Sequence, residues 1–134
     1  MPRRKVLILE DELVIGKVLD VLLAGLGCEG DVVHSSRQAL ASINRQSFDA
    51  VLLDFRCSEL PPDQLVSEII EVQPSLLGRL LVITGEVADP GTLAMLERNS
   101  LTHISREKVA TELWGHLQSL LSISRTPKAA LPID

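Results

Sequence analysis

A chain of 134 residues is long enough for one ordinary domain and too short for two comfortable ones. It is 46% hydrophobic and 23% charged with a formal net charge of -5, a soluble globular balance that argues against direct nucleic-acid binding. Its two cysteines form no disulfide framework, no apolar run reaches the roughly 18 residues of a membrane span, and residues 1–9 lack a secretory pattern, so the expectation is cytoplasmic residence without membrane contact.

The first predicted element is the apolar run Val6-Leu7-Ile8-Leu9, a strand buried on both faces that stops at acidic residues. Leu13, Val14, Val18, Val21, Leu22 and Leu26 follow at helical spacing, and Gly25 and Gly27 mark the helix end. Cys28 to Val33 reads as a second strand, weakened by Gly30 and Asp31. Ser35 and Gln38 make a capping-box pattern ahead of a helix with Ala39, Leu40 and Ile43 on its apolar stripe. Ala50-Val51-Leu52-Leu53 is another buried run, and it too ends in an acid, Asp54. A loop over Phe55–Pro62 leads to a helix carrying Leu65, Val66, Ile69, Ile70 and Val72, which stops near Pro74.

Leu80-Leu81-Val82-Ile83 forms the fourth buried run and closes on Thr84-Gly85. Asp89-Pro90 starts a helix, with Asp as cap and Pro in the first turn, and Leu93, Met95 and Leu96 are its apolar residues. Thr102 to Ser105 is a weak fifth strand. Val109, Leu113, Leu117 and Leu120 make the stripe of the last helix, with Trp114 and Leu121 off it. Residues 125–134 contain two prolines and no periodicity, so a single domain over 1–124 with a loose tail is expected. Strand and helix alternate five times, which means a doubly wound α/β fold with a five-stranded parallel sheet.

In open sheets of this kind, ligands bind at the carboxyl ends of the strands. Glu10 and Asp11 lie there after the first strand and Asp54 after the third. Three crowded carboxylates are unfavourable without a cation, and an open set of oxygen ligands suits Mg²⁺. A carboxylate beside Mg²⁺ is a competent phosphoryl acceptor. Thr84 offers a hydroxyl to a phosphoryl oxygen, and a cation after the fifth strand offers a further contact. The plainer alternative is that strand-end acids serve as helix caps or first-turn residues, and Glu12 is assigned that role.

These residues resemble a known family. Val6 to Glu12 and Val51 to Asp54 look like the first and third strands of response-regulator receiver domains, and Val82-Ile83-Thr84-Gly85 looks like the fourth. The spacing of 43 residues from Asp11 to Asp54 and 30 from Asp54 to Thr84 agrees with the family habit, and the resemblance covers roughly residues 4–123. It implies a flavodoxin-like (βα)5 fold, of the type seen in chemotaxis regulators, with strand order 2-1-3-4-5. It implies Asp54 as phosphoacceptor and Asp11 as a direct Mg²⁺ ligand, with Glu10 acting mainly through water. The backbone carbonyl of Arg56 is implied as a further ligand, and Thr84 as the hydroxyl that follows the phosphoryl group on switching. The implied partner is a sensor histidine kinase or His phosphotransfer protein. The implied role is a signalling module rather than an enzyme.

Several positions depart from the family pattern. The Lys-Pro usual after the fifth strand falls on Arg106-Glu107, with Lys108 as a second candidate. Arg pairs with a phosphoryl oxygen but is not equivalent to Lys. The aromatic switch position falls on His103, where an imidazole packs inward or titrates near neutral pH. Ser58 and Pro61-Pro62 alter the loop after Asp54, and Cys57 reads as packing. An alternative reading is therefore a receiver-like interaction module that works without phosphorylation. A phosphohydrolase would want an Asp where Arg56 stands, and Glu10-Asp11-Glu12 would repel the phosphate of a flavin. No output domain is read after the last helix, so the chain is either a stand-alone receiver or a piece of a longer protein such as a hybrid kinase. Signalling and possible homodimerisation are expected through the last two helices and the fifth strand, where Trp114 and Leu121 could sit.

Overall fold

The structure is a computed structural model and describes residues 4–85 and 89–121. Five strands run through it: β1 (Arg4–Leu9), β2 (Cys28–Val33), β3 (Ala50–Leu53), β4 (Leu80–Thr84) and β5 (Thr102–Ser105). They alternate with α1 (Leu13–Gly25), α2 (Ser36–Arg45), α3 (Pro62–Val72), α4 (Pro90–Arg98) and α5 (Val109–Leu121). All strand pairs are parallel and the order is β2-β1-β3-β4-β5, as the resemblance implies. The tail expected over 125–134 lies outside the described residues.

Period-two alternation splits each central strand between two cores. Val6 and Ile8 of β1 and Ala50 and Leu52 of β3 pack with Leu19 and Leu23 of α1 and with Leu113, Leu117 and Leu121 of α5. Leu7, Leu9, Val51 and Leu53 face the other way, onto Ala39 and Ile43 of α2 and Leu65 and Ile69 of α3. Met95 and Leu96 of α4 cover Val82. The sheet is therefore buried on both sides, which is why β1, β3 and β4 are near-continuous apolar runs.

Local signals match their elements. The Ser35 side chain accepts from the Gln38 amide at 3.1 Å. The Gln38 carboxamide reaches back to the His34 amide at 2.7 Å, one residue before the usual partner in a capping box. Asp89 caps α4 by accepting from the Thr92 amide at 2.7 Å. Gly30 does not prevent β2. A Cβ there would lie 3.0 Å from Leu23 and 3.2 Å from Ile8, so its bareness lets α1 pack close to the sheet. Arg4 donates to the Leu121 carbonyl, placing a cation at the α5 carboxyl end.

Two helix faces differ from expectation. Leu13, Val14 and Val21 of α1 are exposed, and the buried stripe is Gly16, Leu19 and Leu23, flanked by Ile15, Val18 and Leu22. In α5, Leu121 belongs to the core rather than to an outer face. The i, i+4 series Val109, Leu113, Leu117, Leu121 stays buried, while Leu120 is partly so. Trp114 is off the stripe and 44% exposed. No described helix is long and apolar enough to cross a membrane.

Candidate functional site

Strand register brings the acids together. Leu9 pairs with Leu53, so the next residues, Glu10 and Asp54, emerge side by side at the carboxyl edge. The Asp54 amide donates to the Leu9 carbonyl at 3.0 Å, and the Glu10 amide to Val33 at 3.0 Å, extending both strands by one residue. Both acids are fully buried. Burial pushes the Glu10 carboxyl above its ordinary range and Asp54's charge adds to this, while the Glu12 amide and Arg106 oppose it.

Arg106 occupies the space between the acids. It opens a short 3-10 turn after β5, beside the end of β4. Its guanidinium donates to Glu10 at 3.1 Å and also to Asp54 Oδ2. Burial works against this cation, but the Asp54 and Glu10 contacts outweigh it and hold its pKa above the ordinary Arg value. Lys108, at the far end of the same turn, is exposed, so of the two cations read after the fifth strand it is Arg106 that reaches the acids.

Arg56 is the residue that sequence reasoning placed only by its backbone. Asp54 caps a 3-10 turn over Phe55–Cys57 by accepting from the Arg56 amide at 3.0 Å. This turns the Arg56 side chain back over the same carboxylate. Its Nε lies 3.4 Å and 3.3 Å from the two Asp54 oxygens, and its Nη2 lies 3.3 Å from Oδ2. The same Nη2 donates to Glu12 at 3.2 Å. Glu12 thus stands at the α1 cap position but makes no side-chain cap bond; its carboxylate faces Arg56, with Arg106 at 3.8 Å.

The other expected residues fall around this pair. Asp11 is exposed and hydrogen-bonded to Cys57. Ligand atoms of Glu10, Asp54 and Cys57 lie within 4.8 Å of one another. Burial, with the charges of Asp54 and Asp11 helping, pushes the Cys57 thiol up to about 12, so it stays a neutral thiol and a poor metal ligand. The two carboxylates offer hard oxygens at the carboxyl edge of the sheet, the donor type a divalent cation takes, and Arg106 sits on both of them. Thr84 is buried and its hydroxyl donates to the Ile104 carbonyl at 3.5 Å, toward β5. Thr84 and Asp54 both line a cavity of about 510 Å³ between α3 and α4, with Phe55, Met95 and Arg98. His103 is exposed on β5, so its ring does not pack inward. Ser58 closes its own turn by donating to the Leu60 carbonyl at 2.7 Å, and Pro62 takes the first turn of α3.

No family model matches the chain. A response-regulator receiver domain protein from Methanospirillum hungatei superposes with a TM-score of 0.79 at 17% identity, over 90% of this chain and 95% of that one. The transcriptional regulatory protein ZraR of Escherichia coli is 25% identical over 127 residues, which is 95% of this chain and 28% of that protein. The chain has the fold of response-regulator receiver domains and is similar over 95% of its length to part of a transcriptional regulatory protein. The chain also superposes on the receiver domain of a Pseudomonas aeruginosa sensor histidine kinase (TM-score 0.76, 24% identity, 90% of this chain, 99% of that one), whose structure has magnesium coordinated in the active-site cleft. It spans little more than a quarter of the length of its ZraR relatives.

Proposed function

We propose that Asp54 accepts a phosphoryl group from a histidine kinase or His phosphotransfer protein and that the modified receiver signals by protein contact. The observation that carries this reading is the buried Glu10–Asp54 pair bridged by Arg106 at the carboxyl edge of the sheet. An Asp54 oxygen attacks phosphorus in the donor's phosphoimidazole. A P–O bond forms as the P–N bond breaks, the electron pair leaves on the imidazole, and Asp54 becomes an acyl phosphate. Arg106 keeps its hold on Glu10 and presents its other nitrogen to a phosphoryl oxygen. The Thr84 hydroxyl leaves the Ile104 carbonyl for a second oxygen, which couples Asp54 to β4 and β5.

Glu10, Asp11, Asp54 and the Arg56 carbonyl are the groups proposed to hold Mg²⁺. When bound, the ion offsets negative charge on the transferring group. Contact with partners, including a second copy, is proposed on the face of α4, β5 and α5, where Trp114 and His103 are exposed.

The test is incubation with a small phosphodonor and Mg²⁺, read by intact mass. Wild type is expected to gain one phosphoryl group and Asp54→Ala none. A second reading, an interaction module that needs no phosphorylation, is favoured by one observation: Asp54 already accepts from both Arg56 and Arg106. Absence of any mass shift, from a kinase or a small donor, would establish that second reading over the first.

A further inference from the structure

The two guanidinium groups on Asp54 differ in how they are held. Arg106 is 16% exposed and tied to Glu10 as well. Arg56 is 55% exposed, and its other partner, Glu12, is itself half exposed. The Arg56 amide donates to Asp54 Oδ1 at 3.0 Å, so the backbone holds the residue beside Asp54 independently of its guanidinium.

Both Asp54 oxygens carry Arg56 contacts. Oδ1 accepts from its amide and Nε, and Oδ2 from Nε and Nη2 in addition to Arg106. A divalent cation draws on the same carboxylate oxygens, and two positive groups repel each other in one small space. Arg106 cannot easily make room, since leaving would strand two buried carboxylates. Arg56 can, because its guanidinium is already more than half exposed and stays solvated when it swings out, and its other partner, Glu12, is half exposed as well.

The geometry points to Arg56 as a built-in counter-ion that competes with a divalent cation for Asp54 and so sets the metal affinity of the site. It acts as a gate: with the guanidinium in, Asp54 is neutralised without metal; with it swung toward solvent, the oxygens are open to the cation. This rests on the reading of the mouth as the receiver's cation site.

The test is Mg²⁺ titration of the full chain by calorimetry, with free Mn²⁺ followed by electron paramagnetic resonance as a second probe. Wild type, Arg56→Met, Arg56→Gln and Arg56→Lys are compared, each shown to fold by circular dichroism. Removing a mostly solvated cation beside the site is expected to tighten binding roughly tenfold in Arg56→Met and Arg56→Gln. Arg56→Lys, which keeps the charge, is expected near wild type. Binding in the neutral variants equal to or weaker than wild type overturns the gate while leaving the receiver's cation site in place. No binding in wild type or in either neutral variant overturns both.

Discussion

At the scale of single residues, the mouth is governed by side chains that are close neighbours of Asp54 in sequence or space. The acids were legible because each follows an apolar run, and a strand end at the carboxyl edge is where such a sheet binds ligands. The Arg106 side chain was legible by counting from Thr84, and the structure places it against both acids. The Arg56 and Glu12 side chains were not, because a 3-10 turn and two long rotatable chains decide where those charges go, and no periodicity records that. Cys57 shows the same neighbourhood acting on a neutral group. Its thiol is pushed up to about 12 by burial first and by the Asp54 charge second. An unfolded cysteine ionises near about 8.5, so between there and 12 the folded chain binds the extra proton and loses stability as pH rises. Alkylation of Cys57 at pH near 9 is therefore expected to be at least about a hundredfold slower in the folded chain than in the same chain in denaturant. Mass spectrometry of the labelled peptide measures it. Comparable rates would mean the thiol is neither buried nor raised.

At the scale of elements, the capping signals at Ser35 and Asp89 hold, the cap expected of Glu12 does not form, and one contact is invisible in the sequence. Ser35 and Gln38 announced the start of α2, and both engage the backbone there. The third participant is Glu59, 23 residues on, which accepts from the Ser36 amide at 2.9 Å and the Ser36 hydroxyl at 2.6 Å. It pins the loop before α3 onto the α2 N-terminus, where the helix dipole also favours negative charge. The hydroxyl bond, with the backbone contacts adding to it, lowers the Glu59 pKa below the ordinary carboxylate range. A lowered carboxyl contributes stability that is present above its unfolded pKa and is lost as pH falls through the folded one. The stability gap between wild type and Glu59→Ala, from urea denaturation, is thus expected to be constant near neutrality and to narrow on acidification. A gap independent of pH would show that the charge contributes nothing and only packing was lost. The α1 and α5 faces were misread for a related reason. Valines and leucines are frequent enough in these helices to fit more than one stripe, and only the sheet decides which one is covered.

At the scale of the whole molecule, the strand–helix alternation was enough to give the architecture, and the strand order came with the family resemblance. What alternation alone did not give is the register that sets Glu10 against Asp54, since sliding one strand by a residue would turn every side chain to the opposite core. That register is enforced from both sides at once, because residues of opposite parity in β1 and β3 are locked into separate clusters. The two cores share strands and so should not melt apart. Leu65 of α3 is fully buried against Val51 and Leu53 on one face, whereas Trp114 rides on α5 across the sheet. Leu65→Ala removes buried methyl groups and leaves a cavity, a loss of about 2–5 kcal/mol. If the sheet couples both layers, the variant's Trp114 fluorescence and far-ultraviolet circular dichroism should fall in one coincident transition shifted by the same amount. A Trp114 transition left at its wild-type midpoint, with only the dichroism shifted, would show that the α1–α5 layer stands without the α2–α3 layer. In that case the phosphoryl group proposed for Asp54 would act on one layer without the other. Coincidence instead means that the sheet and the helices on both its faces form a single cooperative unit, which the proposed signalling from α4, β5 and α5 needs.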